Sequence, residues 1–276
     1  MTTQRELEDR YARAVAATSA VFVYADHVDD ALARSGAMGP RDRLVDMIGG
    51  AGLRVADARA AASEVHAAGG RLWTDVTVPS FFGCHVFDLG VDVQCEALDR
   101  IAAGGLERKA VALSTRGDAD LIAHVGASPS HALSQGDLEA IACGLDTFPS
   151  RMQRHCDHAR AIAEYLSCCE RLAAVWYSGL ASHPDHELAT RVLLHGFGPA
   201  VDFELPAVPG RAAGDFIDRC RLNGRACKAG GRRTRLHARD GREGSAVRVF
   251  AGLDDPLEIA DDLDQAMRWF CSPPQP

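Results

Sequence analysis

Lysine is the scarcest functional group in this chain. Among its 30 basic residues only Lys109 and Lys228 are lysines, and the other 28 are arginines. Any mechanism that needs a side-chain amine therefore has two candidates in 276 residues. No C-x-x-C pair occurs among the nine cysteines, which removes the usual zinc-ribbon and dithiol redox motifs. The cysteine count is odd and no secretion signal is evident, so the sequence predicts reduced, partly buried thiols. The opening MTTQRELEDRYARAVAA is charged and lacks the apolar core of a signal peptide. No apolar run reaches the length needed to span a bilayer, and neither an internal repeat nor a low-complexity segment is present. Net charge is −8, which argues against nucleic acid as a partner. The sequence predicts a cytoplasmic protein with no membrane segment.

What is present is ordinary for a globular chain. Hydrophobic residues make up 47% and charged residues 25%. At this length folding buries about three quarters of the unfolded chain's surface, so no disulfide staples are needed. Residues 4–17 are read as a helix, SAVFVYA (19–25) as a buried strand, and 26–52 as a Gly-rich remodelled loop with a short helix at 40–48. Small apolar residues at helical spacing over 57–68 predict a helix. GRLWTD (70–75) and 89–95 predict strands, and this strand–helix–strand order indicates parallel pairing. A long helix is predicted from about 150 to 171, then the strand AAVWYS. HELATRVLLHG is read as a helix, AVDFEL as a strand and AAGDFIDRCRL as a helix. SAVRVFAG (245–252) is read as the last strand. The last helix carries a buried stripe of Ile259, Leu263, Met267 and Phe270. Asp255 suits its cap, Pro256 its first turn, and Glu258 a capping-box-like position. The expected division is 1–149 and 150–276.

Several clusters could carry chemistry, and each has a plainer reading. His155, Cys156 and His158 suggest a soft metal site. However, the histidines share a helical face that Cys156 does not, and no fourth ligand is evident, so a surface helix is expected and no metal. His183 and His186 flank a proline at a helix start. GFGP (196–199) lacks the third glycine of a phosphate cradle. Cys168 and Cys169 lie late in a helical pattern, pointing to different faces. Residues 225–242 are strongly basic, and a solvated, mobile loop is the simpler reading than an anion site.

Three stretches carry a resemblance. GLDTFPSRMQRHCDHARAIAEYL (144–166) and YSGLASHPDHELATRVLLHGFGPAVDFEL (177–205) resemble the C-terminal part of the Cys/Met-metabolism pyridoxal-phosphate enzymes, the cystathionine γ-synthases, cystathionine γ-lyases and methionine γ-lyases. AVRVFAGLDDPLEIADDLDQAM (246–267) is similar to that family's last strand and helix. TSAVFVYA and VADARAAASEVHAAGGRLWTDVTVPSFF look like its central strands. The resemblance implies an α/β protein with an aspartate-aminotransferase-like large domain (fold type I), here truncated, followed by a smaller C-terminal α/β domain. It makes Asp75 the match of the aspartate that pairs with the cofactor's pyridine nitrogen. Arg248 becomes the match of the arginine that clamps a substrate carboxylate.

The same resemblance exposes departures. Aligning on LGVD and the later Gly-Gly puts Ala97, Asp99 and Arg100 where the family has the serine, threonine and lysine of its cofactor-binding sequence. Ala97 lacks a hydroxyl for the cofactor phosphate, and Asp99 adds negative charge beside it. A lysine near pKa 10.4 must fall by about 3 units to be a free amine at neutral pH. An arginine starts far higher and stays charged. The family's N-terminal arm, phosphate loop and stacking aromatic have no counterpart. The sequence therefore predicts no catalytic residue and no cofactor in the chain alone. The expected role is a noncatalytic subunit of a heterodimer or heterotetramer with a complete, pyridoxal-phosphate-bearing homologue; a homo-oligomer is the other assembly considered. Family members assemble as dimers and tetramers, and the missing portion predicts that the chain alone exposes an apolar face. Two other readings stand beside this one: a pyridoxal-phosphate lyase or γ-replacement enzyme for a sulfur amino acid with Lys109 recruited, and a small-carboxylate or phosphate-binding protein using Arg248 and the basic loop.

Overall fold

The computed structural model describes residues 2–127, 132–221, 224–225, 231–239 and 245–272. Lys228 and much of the basic 225–242 segment lie outside the described residues. The chain forms two compact units, one of residues 1–48, 55–150 and 192–194, the other of 49–54, 151–191 and 195–276.

In the first unit, helix α1 (Gln4–Ala14) begins with a capping box. The Thr3 hydroxyl accepts the Glu6 N–H, and the Glu6 carboxylate accepts the Thr3 N–H, so two otherwise orphaned donors are satisfied. The strands and helices that follow are β1 (Ser19–Tyr24), α2 (Val28–Ser35), β2 (Arg43–Asp46), the short β3 (Ile48–Gly49) and β4 (Arg54–Val55), and α3 (Ala58–Ala67). Then come β5 (Leu72–Asp75), α4 (Ser80–Gly83), β6 (Val93–Ala97), β7 (Ala110–Thr115), α5 (Ala119–Gly126) and the long α6 (Gln135–Ser167). The main sheet runs β1-β7-β6-β5-β2. β2, β5 and β6 are parallel, whereas β7 is antiparallel to both β6 and β1. Every residue of β7 is buried, which explains its near-continuous apolar run. Val21, Val23, Trp73, Val93, Cys95, Val111 and Leu113 form the core of this sheet with α2 and α5.

The second unit adds β8 (Ala174–Trp176), α7 (His186–Val192), β9 (Ala200–Glu204), α8 (Ala213–Arg219), β10 (Gly224–Arg225), β11 (Arg235–Arg239), β12 (Ala246–Phe250) and α9 (Pro256–Phe270). Its sheet runs β10-β11-β12-β9-β8 and is antiparallel apart from β10 beside β11. Ile162 and Leu166 of α6, Phe216 of α8, and Ile259, Leu263, Met267 and Phe270 of α9 pack with Val201, Phe203, Val247 and Val249 of the sheet. Asp255 caps α9 by accepting the Leu257 N–H.

Several expectations are corrected. The 26–52 segment is not an irregular loop: it holds α2 and β2, and β2 occupies the place given to a helix at 40–48. The strand expected at 89–95 begins only at Val93, because Val86–Leu89 forms a 3-10 turn closed by Gly90 at φ 90°. The helix expected from about 150 begins at Gln135 and runs through Pro149. His155 and Cys156 are buried, not on a surface helix. The expected apolar face is not found among the described residues. The large apolar side chains exposed there are Tyr24, Tyr165, Leu194 and Leu257, a number ordinary for a protein surface. One reason is α1, which packs on β1 and fully buries Leu7 and Tyr11. No helix among the described residues is long and apolar enough to cross a membrane.

Candidate functional site

In the first unit, strand β5 delivers Asp75 as its last residue, opposite Asp46 of β2. The chain then turns, and the Thr77 N–H donates to Asp75 Oδ1 at 2.7 Å, an Asx-turn of the kind aspartate favours at strand ends. The Thr77 hydroxyl accepts the Ala97 N–H at 3.0 Å, joining this turn to the end of β6. Burial pushes the Asp75 carboxyl up to about 6, against the Thr77 hydrogen bonds and helped by the charges of Asp46 and Asp29.

Beyond β6 the chain forms a tight turn in which the Gly104 N–H donates to the Asp99 carbonyl at 2.8 Å. Arg100 sits in this turn and is 4% exposed. Its Nη1 donates to the Thr77 carbonyl at 2.9 Å and to the Val78 carbonyl at 2.5 Å. The guanidinium thus bonds to the backbone that follows Asp75. Thr77 touches all the relevant partners: its N–H meets Asp75, its hydroxyl Ala97 and its carbonyl Arg100. Asp99 is half-buried in the same turn.

A second buried carboxylate completes this region. Glu96 is 1% exposed and accepts the Tyr11 hydroxyl at 2.6 Å. Burial raises it to about 7, against the Ser80 and Tyr11 hydroxyls and the charge of Arg100. Sequence reasoning missed Tyr11, Thr77 and Glu96. The Asp-x-Thr spacing was a readable turn signal for Thr77, whereas the Tyr11–Glu96 pair joins residues 85 apart in sequence and left no local sign.

Arg248 belongs to the second unit and occupies the middle of its sheet, opposite His237 of β11 and Asp202 of β9. Its Nε and Nη2 donate to the two Asp202 oxygens at 2.6 and 2.7 Å. Burial, then the charges of Arg239 and Arg248, holds His237 below the usual imidazole value.

The remaining candidates have structural partners. Lys109 precedes β7, and its Nζ lies 3.1 Å from Asp26 Oδ1, with both side chains about half exposed. His155 and His158 bond through Nδ1 to the carbonyls of Ala251 and Gly252. His183 Nε2 bonds the Gly52 carbonyl, and His186 Nδ1 the Ser178 carbonyl. No cluster of three metal-ligating side chains occurs among the described residues.

The described residues do not fit a covalently held pyridoxal phosphate. Covalent attachment needs a free amine. Arg100, which the resemblance aligns with the family's lysine, is a guanidinium, already donating to two backbone carbonyls and permanently protonated. Ala97 offers only its N–H, which Thr77 uses.

The fold is that of the fold type I pyridoxal-phosphate enzymes. A methionine gamma lyase from Micromonospora echinospora, in its apo form, superposes with a TM-score of 0.84 over 96% of this chain and 86% of that one, at 22% identity. A cystathionine gamma-lyase from Lactobacillus plantarum complexed with L-serine gives a TM-score of 0.85 at 17% identity, over 98% of this chain and 87% of that one. Residues 30–268 match the model of the Cys/Met metabolism PLP-dependent enzymes, and the chain belongs to that family. An L-methionine gamma-lyase from Fusobacterium nucleatum subsp. nucleatum is 30% identical over 65% of this chain and 49% of that enzyme. A cystathionine gamma-lyase from Dictyostelium discoideum is 27% identical over 78% of this chain and 59% of that one. The chain thus spans about half the length of the curated relatives it matches.

Proposed function

We propose that this chain is a noncatalytic member of its family and acts as a structural or regulatory subunit beside a complete, pyridoxal-phosphate-bearing homologue. The observation that carries this reading is Arg100, 4% exposed and bonded to the Thr77 and Val78 carbonyls. A guanidinium in that state is neither a nucleophile nor a base at neutral pH. Its charge instead holds the turn after β6 against the loop after β5. The subunit role draws on the family's habit of assembling as dimers and tetramers.

The test is to incubate the protein with pyridoxal phosphate, reduce with borohydride and map the modified peptides, for the wild type and for Arg100→Lys. Neither should become stoichiometrically labelled at one lysine, and neither should turn over cystathionine or methionine. Arg100→Lys supplies the amine but not the serine and threonine hydroxyls that the family places at positions 97 and 99. Stoichiometric labelling of wild-type Lys109 with turnover of a sulfur amino acid would establish the lyase reading instead.

A further inference from the structure

The accessible thiols of the second unit gather in one place. Among its described cysteines, Cys156 and Cys220 are buried, whereas Cys168 and Cys271 are exposed and Cys169 is half-buried. Cys168 and Cys169 follow the last residue of α6, and Cys271 is the residue that closes α9. The two helix ends are held side by side. Arg171 Nη1 lies 3.3 Å from Asp264 Oδ1 of α9, and Cys168, Cys169 and Asp264 line one surface hollow of about 380 Å³.

Hydrogen bonds hold the backbone on both sides. The Cys169 N–H donates to the Leu166 carbonyl at 3.0 Å, and the Leu172 N–H to the Cys169 carbonyl at 3.1 Å. The Cys271 N–H donates to the Met267 carbonyl at 2.9 Å, and Arg211 Nη1 to the Phe270 carbonyl at 2.6 Å. Burial raises the Cys271 thiol, the Arg171 guanidinium works against that, and charge on Cys169 adds to it. The two sulfurs therefore lie within electrostatic reach of each other. The adjacent pair, Cys168 and Cys169, is a poorer match. Neighbouring Cα atoms across a trans peptide are about 3.8 Å apart, below the roughly 4.4–6.8 Å that a disulfide spans.

We infer that Cys169 and Cys271 form a disulfide site that closes on oxidation and ties the end of α6 to the end of α9. The co-reactant is a small disulfide of the oxidised-glutathione class. One protein thiolate attacks a sulfur of that disulfide, forming a mixed disulfide and releasing one small thiol. The second protein thiolate attacks the protein sulfur of the mixed disulfide and expels the other. The protein loses two S–H bonds and gains one S–S bond, the small disulfide is reduced, and both protons leave on the two small thiols. The new bond closes a loop of about 100 residues, a length at which a cross-link strongly restrains the unfolded chain. In a reducing compartment the thiols stay free, so the bond answers a change in redox surroundings. This goes beyond the noncatalytic reading and uses none of the residues on which that reading rests.

The test is to incubate the native protein with oxidised glutathione, block the remaining thiols with iodoacetamide, and digest with trypsin without reduction. In wild type, peptide 161–171 should be joined to peptide 269–276, with the chain at single-chain mass on a non-reducing gel. Dithiothreitol should undo the join. Cys168→Ser should give the same cross-link, and Cys169→Ser and Cys271→Ser should give none. All three side chains are at least partly exposed, and circular dichroism checks that each variant keeps the fold. Oxidation should raise the melting temperature of wild type by several degrees and leave that of Cys271→Ser unmoved. The inference is overturned if wild type yields only glutathione adducts or unreacted thiols, or if the bond joins Cys168 to Cys169. A cross-link that survives in Cys169→Ser, or one that joins two chains, overturns it as well. Borohydride labelling at a lysine would undo the noncatalytic reading and leave this result untouched.

Discussion

At the scale of single residues, the proposed function rests on Arg100. It is legible in the sequence because its spacing from LGVD (89–92) and from the Gly-Gly at 104–105 is local. Its two carbonyl partners are not, since they depend on how the loop after β5 folds back. Glu96 was missed for the same reason, and it carries a pH signature. Its folded pKa is raised to about 7 from an ordinary carboxyl value of 4.5. The folded state therefore binds that proton more tightly than the unfolded one. The resulting stability is full below about pH 4.5 and is lost as pH rises through about 7. Between pH 5 and pH 8 the change should be about 2 kcal/mol. Asp75, raised to about 6, acts in the same direction at lower pH. Urea unfolding of wild type and Glu96→Gln at both pH values checks this: the variant's stability should vary with pH by about 2 kcal/mol less. An unchanged pH dependence would mean that Glu96 titrates normally in the folded protein.

At the scale of elements, most strands and helices were readable, and the errors have identifiable causes. Pro149 removes one helical hydrogen bond and usually marks a helix boundary, but α6 runs through it, and its first turns lie before that proline. The apolar run at 89–93 reads as a strand, but Gly90 takes a positive φ, which ends a turn and does not continue a strand. The fork between Asp202 and Arg248 depended on strand register, which no local pattern reveals. One element contact is unusually tight. A Cβ on Gly144 of α6 would lie 2.0 Å from the Ile101 carbonyl oxygen, in the turn that carries Arg100. Gly144→Ala must therefore move α6 away from that turn. It should destabilise the protein by about 3 kcal/mol, measured as a lower urea midpoint, with Gly136→Ala as the control, since a Cβ there meets only side-chain atoms at 3.5 Å or more. Equal effects at the two positions would show that the approach of α6 is easily relieved.

At the scale of the whole molecule, the family match over residues 30–268 takes in parts of both units. Each unit has its own sheet and its own buried core. The subunit proposal belongs to this scale. Co-expression with a full-length family homologue should give a complex of defined mass by light scattering, with cofactor colour following the homologue's lysine. Indifference of the two chains at high concentration would remove the proposal.

Segment 49–54 has a consequence for the order of events during synthesis. Its partners Asp202 and Arg248 follow it by roughly 150 and 200 residues. At about 5–20 residues per second they leave the ribosome some ten seconds or more after the segment does. For that interval the loop has made its place in the sequence but not its place in the fold, and α3, β5, β6 and β7 emerge around it. The last strand to arrive, β12, brings the arginine that seats it. A chain stopped short of residue 248 would leave Asp202 without its guanidinium and the Gly50 carbonyl without its Arg248 donor.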